Sequence, residues 1–272
     1  MHPASSGAST LSAQDIEFFV ANGFVRVDKA FPKELAAEAR SILWRAMGLS
    51  PDDPAAWTSP VVRLGHFTEE PFRAAANTPR LHGAFDQLVG AGRWLPCGAV
   101  GTFPVRFPSG EDPGDTGWHI DVSFGTEQPD FMEWRANATS RGRALLMLFL
   151  FSDVGPDDAP TRIRCGSQRM IARRLESAGE DGLTLRELAA DDFAECAGKS
   201  EALATGEAGT VYLCHPFVVH SAQPHRGRNP RFMAQPPLLP SGRKMRPGDP
   251  PTRVYRSMLN HEMAHCRGWV HR

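Results

Sequence analysis

Apolar residues recur along this chain in two rhythms. In the first fifty residues they fall at helical spacing: Ile16, Phe19 and Val20 share a face after Ser12, which can cap a helix with Asp15 three residues on, and Asn22-Gly23 stops the run. Phe24-Val25-Arg26-Val27 alternates as a strand does. Pro32 suits a first helical turn, and Leu35, Ala39, Ile42, Leu43 and Ala46 then form a second amphipathic run that Gly48 ends. The chain therefore starts helix, strand, helix. Residues 51–96 are mixed and punctuated by proline, with one helical stretch at 80–89. From Cys97 onward the rhythm shortens. Residues 99–107, 118–124, 143–153, 161–165, 210–213, 217–220 and 231–235 are short apolar runs divided by Gly, Pro and Asp, the pattern of a sandwich or barrel. Residues 183–196 interrupt that series with a predicted helix and an acidic loop.

Composition sharpens this picture. The 23 prolines and 25 glycines supply the turns that many short strands need. No repeat or Gly/Ser linker divides the 272 residues, so one domain is expected over 1–272, with 1–10 flexible and 240–272 a C-terminal extension. Thirty basic residues against 31 acidic ones leave a net charge of -1, which offers no excess positive charge to nucleic acid or to an anionic membrane. The longest apolar run, residues 144–151, has eight residues where a membrane-spanning helix needs about 20, and reads as a buried strand. The N-terminal MHPASSGAST lacks a basic stretch followed by an apolar core. The five cysteines, Cys97, Cys165, Cys196, Cys214 and Cys266, include no C-x-x-C pair, which argues against a disulfide framework or a thiolate zinc site. A cytoplasmic protein with a small-molecule partner is the expectation. Ten histidines raise the question of metal.

Trp118-His119-Ile120-Asp121 is the first candidate. Residues i and i+2 of a strand point to one face, so His119 and Asp121 can reach one ion. Ten histidines among 31 acids give roughly one such pair by accident, so the spacing alone is weak. Further on stands TVYLCHPFVVHSAQPHRGRNPRF, residues 210–232, in which a strand and a turn lead to His220, and Arg231 follows eleven residues later.

These pieces together resemble the phytanoyl-CoA dioxygenase-like family of iron(II)- and 2-oxoglutarate-dependent oxygenases. Residues 11–31 (LSAQDIEFFVANGFVRVDKAF) are similar to that family's opening helix and strand, and residues 145–168 (LLMLFLFSDVGPDDAPTRIRCGSQ) to its central strand, acidic turn and G-S-H ending. The resemblance implies a mainly β fold with flanking helices around a double-stranded β-helix, a cupin-like jelly roll. It also implies iron(II) held by His119, Asp121 and His220, 2-oxoglutarate held at its far carboxylate by Arg231, and dioxygen as co-reactant. Two imidazoles and a carboxylate leave three iron positions open, the facial-triad arrangement of non-haem oxygenases. A guanidinium meets a carboxylate with two parallel donors, which an ammonium does not. The expected reaction is hydroxylation of a C–H bond in a small organic molecule with release of succinate and carbon dioxide. Asp121 disfavours halogenation, because related halogenases carry a small residue there. Phe149, Thr161 and Arg106 are the candidates for the cosubstrate pocket. Gln168 stands in place of the family's histidine, and Ala222 where a hydroxyl often helps hold the cosubstrate; Ser221 is next to it, but its side chain is expected to face the other way. His215 and His225 compete with His220 as third ligand, and the spacing to Arg231 favours His220.

A second motif competes. His261-Glu262-Met263-Ala264-His265-Cys266-Arg267-Gly268-Trp269-Val270-His271 fits H-E-x-x-H-x-x-G-x-x-H, the zinc signature of metzincin proteases. Only Arg272 follows, leaving no length for the Met-turn that supports such a zinc, so a His-rich helical tail is expected instead. A zinc protease and a non-catalytic jelly-roll binding protein are the alternative functions.

Overall fold

The computed structural model describes residues 10–139, 142–242 and 254. Helix α1 (Ala13–Asn22) is closed at its N-terminus by the capping box of Ser12 and Asp15 and at its C-terminus by Gly23 in the left-handed region. Strand β1 (Phe24–Val27) leads into α2 (Lys33–Met47), which Gly48 ends. Strand β2 (Val61–Leu64) and helices α3 (Glu70–Ala76) and α4 (Pro79–Leu88) fill the stretch that is mixed in sequence. Then follow β3 (Phe103–Arg106), β4 (Arg135–Ala136), β5 (Leu145–Leu150) and β6 (Arg162–Arg164). Helix α5 (Gln168–Glu176), strand β7 (Leu183–Thr184) and helix α6 (Leu185–Ala189) interrupt the strands. Strands β8 (Glu201–Leu203), β9 (Val211–Cys214), β10 (His220–Ser221), β11 (Met233–Ala234) and β12 (Pro237–Leu238) complete the described elements.

The larger sheet runs β1-β9-β5-β11, with β12 also on β5, and the smaller runs β10-β6-β8, all antiparallel. Alternation along the central strands sorts side chains to two faces. Leu145, Met147 and Phe149 of β5, with Val211 and Leu213 of β9, face the helices, where they join Phe19, Leu43, Phe72 and Phe85. Leu146, Leu148 and Leu150, with Tyr212, Cys214 and Met233, face the smaller sheet and pack on Ile163, Ala204 and Val218. That second layer is the interior of the barrel-like core. Among the described residues no helix is long and apolar enough to cross a membrane.

Three local expectations change, one of them at residues 217–220, where only His220 lies in a strand. Residues 118–124 form no regular strand and pair only through isolated bridges, His119 with His220 and Phe124 with Arg135. Residues 183–196 carry a short strand as well as a five-residue helix.

Gly23 links the N-terminal helix to the core, because its carbonyl accepts the His215 N–H at 2.7 Å. Its φ is +83°, and a Cβ there would lie 2.4 Å from Gln168 Oε1. Gly23→Ala is expected to cost about 1–2 kcal/mol from the left-handed backbone, before the contact with Gln168 is counted. Urea denaturation checks this, and an unchanged midpoint would contradict it.

Candidate metal centre

His220 opens β10 opposite Ile163 of β6. Directly paired residues of an antiparallel ladder share a face, and Ile163 lies in the interior layer, so His220 points inward. Its neighbour Ser221 pairs with Arg162 and points outward, receiving Arg162 Nη2 at 3.0 Å and donating to Thr116 O at 2.8 Å. The expectation for Ser221 therefore holds. Behind this wall Arg162 and Arg164 lie over the Trp118 ring, 4.5 and 3.9 Å from its centroid.

His119 reaches His220 through the backbone. Each donates its N–H to the other's carbonyl at 2.9 Å, the two-bond exchange of an antiparallel pair, which places both side chains on one face. The imidazole centroids are 4.3 Å apart. His119 Nδ1 lies 3.0 Å from Gly117 O, and His220 Nδ1 lies 3.0 Å from Val218 O. A carbonyl can only accept, so both Nδ1 atoms carry the proton and both Nε2 atoms keep a lone pair for a ligand. Burial pushes the His220 pKa down to about 3, with His119 adding to the effect, and burial lowers that of His119 as well. Both rings are neutral at pH 7, the form that binds metal.

His215 and His225 have the opposite polarity. His215 Nδ1 accepts the Phe217 N–H at 3.0 Å, and His225 Nδ1 accepts the Gly227 N–H at 3.1 Å. Their protons therefore sit on Nε2. His82 packs on Trp94, with ring centroids 4.7 Å apart.

Asp121 is not gathered in with the two imidazoles. Its N–H donates to Pro216 O at 3.0 Å, and its Oδ2 stands 2.8 Å from Arg143 Nε. Burial raises its carboxyl to about 6, against the opposing pull of Arg143. Among the described residues no three His, Cys, Asp or Glu side chains converge at ligating distance. The donors still suit the expected ion. Two neutral imidazoles with open Nε2 atoms and a carboxylate that can accept at each oxygen fit non-haem iron(II). The nearby Cys214 does not compete as a thiolate, because burial and then the Asp121 charge push its thiol pKa upward.

A cluster of buried arginines is built on another isolated bridge, Arg106 with Arg231. Both are almost completely buried. Arg106 Nη2 lies 2.7 Å from each Asp115 oxygen, and Arg63 also pairs with Asp115. Arg231 donates to Pro104 O at 3.2 Å and to Ala159 O. Burial, then Arg106, push the Arg231 guanidinium down to about 9, with Asp115 opposing. The Nε atoms of both arginines lack a partner. Buried cations and orphaned donors on this scale call for an anion. Arg231 lies two residues before the interior residue Met233, whose Sδ is 3.6 Å from Thr161 Oγ1. Thr161 and Arg106 thus share the inner side with Arg231.

Phe149 does not belong there. It lies in the helix-facing core, with its ring centroid 5.8 Å from that of Phe31, and alternation gives the interior wall to Leu148 and Leu150 instead. Asp115, Met233 and Arg143 are site neighbours that the sequence reading lacked. The His261, Glu262, His265 and His271 motif lies outside the described residues.

No family model matches the chain, and no curated protein matches it. Solved structures do. HygX from Streptomyces hygroscopicus, with nickel and 2-oxoglutarate bound, superposes with a TM-score of 0.53 at 17% identity over 83% of this chain and 85% of HygX. SnoK, a non-heme alpha-ketoglutarate-dependent carbocyclase from nogalamycin biosynthesis, gives 0.55 at 16% identity over 87% of each chain. EctD from S. alaskensis, with 2-oxoglutarate and 5-hydroxyectoine, gives 0.54 at 20% identity over 88% of this chain and 78% of EctD. The likeness shows the fold. This chain is mainly β with flanking helices around a cupin-like jelly roll, the architecture of non-haem 2-oxoglutarate-dependent enzymes.

Calorimetric titration with Ni(II) checks which histidines can bind metal. His119→Ala and His220→Ala should abolish binding, whereas His225→Ala should leave it unchanged. Equal losses in all three variants would contradict the tautomer argument.

Proposed function

We propose that the chain is an iron(II)- and 2-oxoglutarate-dependent dioxygenase that oxidises a C–H bond of a small organic molecule, most simply by hydroxylation. The observation that carries this reading is the neutral imidazole pair, with both Nε2 atoms left open by backbone hydrogen bonds at Nδ1. Its position on the same interior as the buried Arg231 supports the reading further.

In this proposal His119 and His220 bind iron through Nε2, and Asp121 donates a carboxylate oxygen. Arg231 orients the far carboxylate of 2-oxoglutarate, while Arg106, itself neutralised by Asp115, adds a fixed positive field. Leu148, Leu150, Val218 and Met233 keep water from the interior. Iron(II) with 2-oxoglutarate and dioxygen supplies the oxidising power, and the cosubstrate leaves as succinate and carbon dioxide. HygX has been solved with hygromycin B, which supports a small-molecule substrate for this fold, and the carbocyclase SnoK shows that reaction outcome varies on it.

Anaerobic addition of Fe(II) and 2-oxoglutarate should develop a visible charge-transfer band in the wild-type protein. No band, together with no succinate formed in air, would contradict the proposal. Arg231→Leu should weaken 2-oxoglutarate binding roughly 10–100-fold, the loss of about 1.5–3 kcal/mol expected for hydrogen bonds to a charged group. Unchanged affinity would place the carboxylate elsewhere.

A further inference from the structure

The carbonyl that fixes the His119 tautomer belongs to an exposed glycine. His119 Nδ1 lies 3.0 Å from Gly117 O, and Gly117 has no side chain to hold it, with open space where a Cβ would be. Residues 107–118 form no regular element, so the place of this carbonyl depends on what holds its neighbours. The acceptor for His220 is tied in differently. Val218, whose carbonyl it is, donates its N–H to His215 O at 3.0 Å, and the next N–H, of Val219, goes to Ser167 Oγ at 2.8 Å.

Both neighbours of Gly117 meet the outer face of the smaller sheet. Thr116 O lies 2.8 Å from Ser221 Oγ, whose single proton is shared with Ala222 O at 2.7 Å, and Arg162 Nη2 donates to that same Ser221 oxygen at 3.0 Å. The half-buried Trp118 ring meets both outward arginines of β6. The guanidinium carbon of Arg164 stands 3.9 Å from its centroid and that of Arg162 4.5 Å. Arg164 is itself buried and donates to Phe193 O at 3.1 Å, so the ring rests against an anchored cation. A guanidinium within about 6 Å of an indole face is attracted to it, and more strongly once water is excluded.

We infer that Trp118 is a positioning residue: held against Arg162 and Arg164, it fixes the Gly117 carbonyl at His119 Nδ1 and so keeps the His119 Nε2 lone pair open. The use of that lone pair rests on the proposed metal centre, whereas the tautomer itself does not.

Long-range nitrogen–proton correlation spectra of the metal-free protein near neutral pH read the tautomer of each imidazole, and calorimetric titration with Ni(II) reads its consequence. Trp118→Leu keeps an apolar group against the neighbouring core and removes the ring face. His119 should then change from one Nδ1–H form to an average of both tautomers, with His220 as in wild type. Ni(II) affinity should fall roughly 10–100-fold, as it does when a group supporting a metal ligand is lost. Trp118→Phe keeps a ring face and should restore the wild-type pattern at His119. An unaltered His119 tautomer in Trp118→Leu overturns the inference. So does an equal change at His220, which would mark a general loss of packing, and so does a phenylalanine variant no better than the leucine one. If the leucine variant does not fold, Arg162→Met carries the test: the same change at His119 is expected, and an unchanged pattern overturns the inference. Wild-type protein that holds both Nδ1–H forms yet takes up no Ni(II) overturns the metal-centre reading instead, so the two failures are distinguishable.

Discussion

Two backbone hydrogen bonds, exchanged between His119 and His220 at 2.9 Å each, join a stretch without regular strand structure to the first residue of β10. Much of the site follows from that exchange. It sets the two imidazoles side by side on one face, and the register of β10 on β6 turns that face inward. The carbonyls of Gly117 and Val218 then accept from the Nδ1 N–H groups, leaving both Nε2 lone pairs open. Burial keeps the rings neutral. Backbone geometry, tautomer and protonation state therefore combine to leave both imidazoles neutral with an open Nε2, as the proposed metal site requires.

Charge is distributed with the same economy. The Arg106–Arg231 bridge places two guanidiniums in the interior, and Asp115 meets Arg106 with both oxygens. Arg231 is left with backbone carbonyls and an unpartnered Nε, and a buried cation so placed is stabilised by an incoming anion. On the other side, Arg143 balances Asp121. The carboxylate is thereby held in the interior by an ion pair, while burial alone would favour its protonation.

Much of this was legible in the sequence, for reasons that can be stated. His220 and Arg231 stand out by their fixed spacing and His119 by its H-x-D pattern, which are local properties of the chain, whereas the alternation expected to bring Asp121 to the same face fails because residues 118–124 form no regular strand. The helices α1 and α2 declare themselves through caps and apolar periodicity. Phe149 was misplaced because β5 is buried on both faces, so its apolar run carries no alternation to show which side faces inward. Helix α3 has only seven residues, too few for a period to show. Helix α5 leaves a trace, since Gln168, Ile171, Ala172 and Leu175 are its buried residues at helical spacing. Arg143 left none. Its meeting with Asp121 depends on Gly142 packing against Ser123, a contact between distant segments that no local pattern records.

The central claim is that His119 and His220 face one ion through Nε2 while their Nδ1 atoms stay protonated. Pulsed electron paramagnetic resonance of the Cu(II)-loaded protein reads this directly, because the remote protonated nitrogen of each coordinated imidazole modulates the echo. The account predicts modulation from two equivalent imidazoles, falling to one in either His119→Ala or His220→Ala. Modulation from neither ring, or a pattern that both substitutions leave intact, would contradict it.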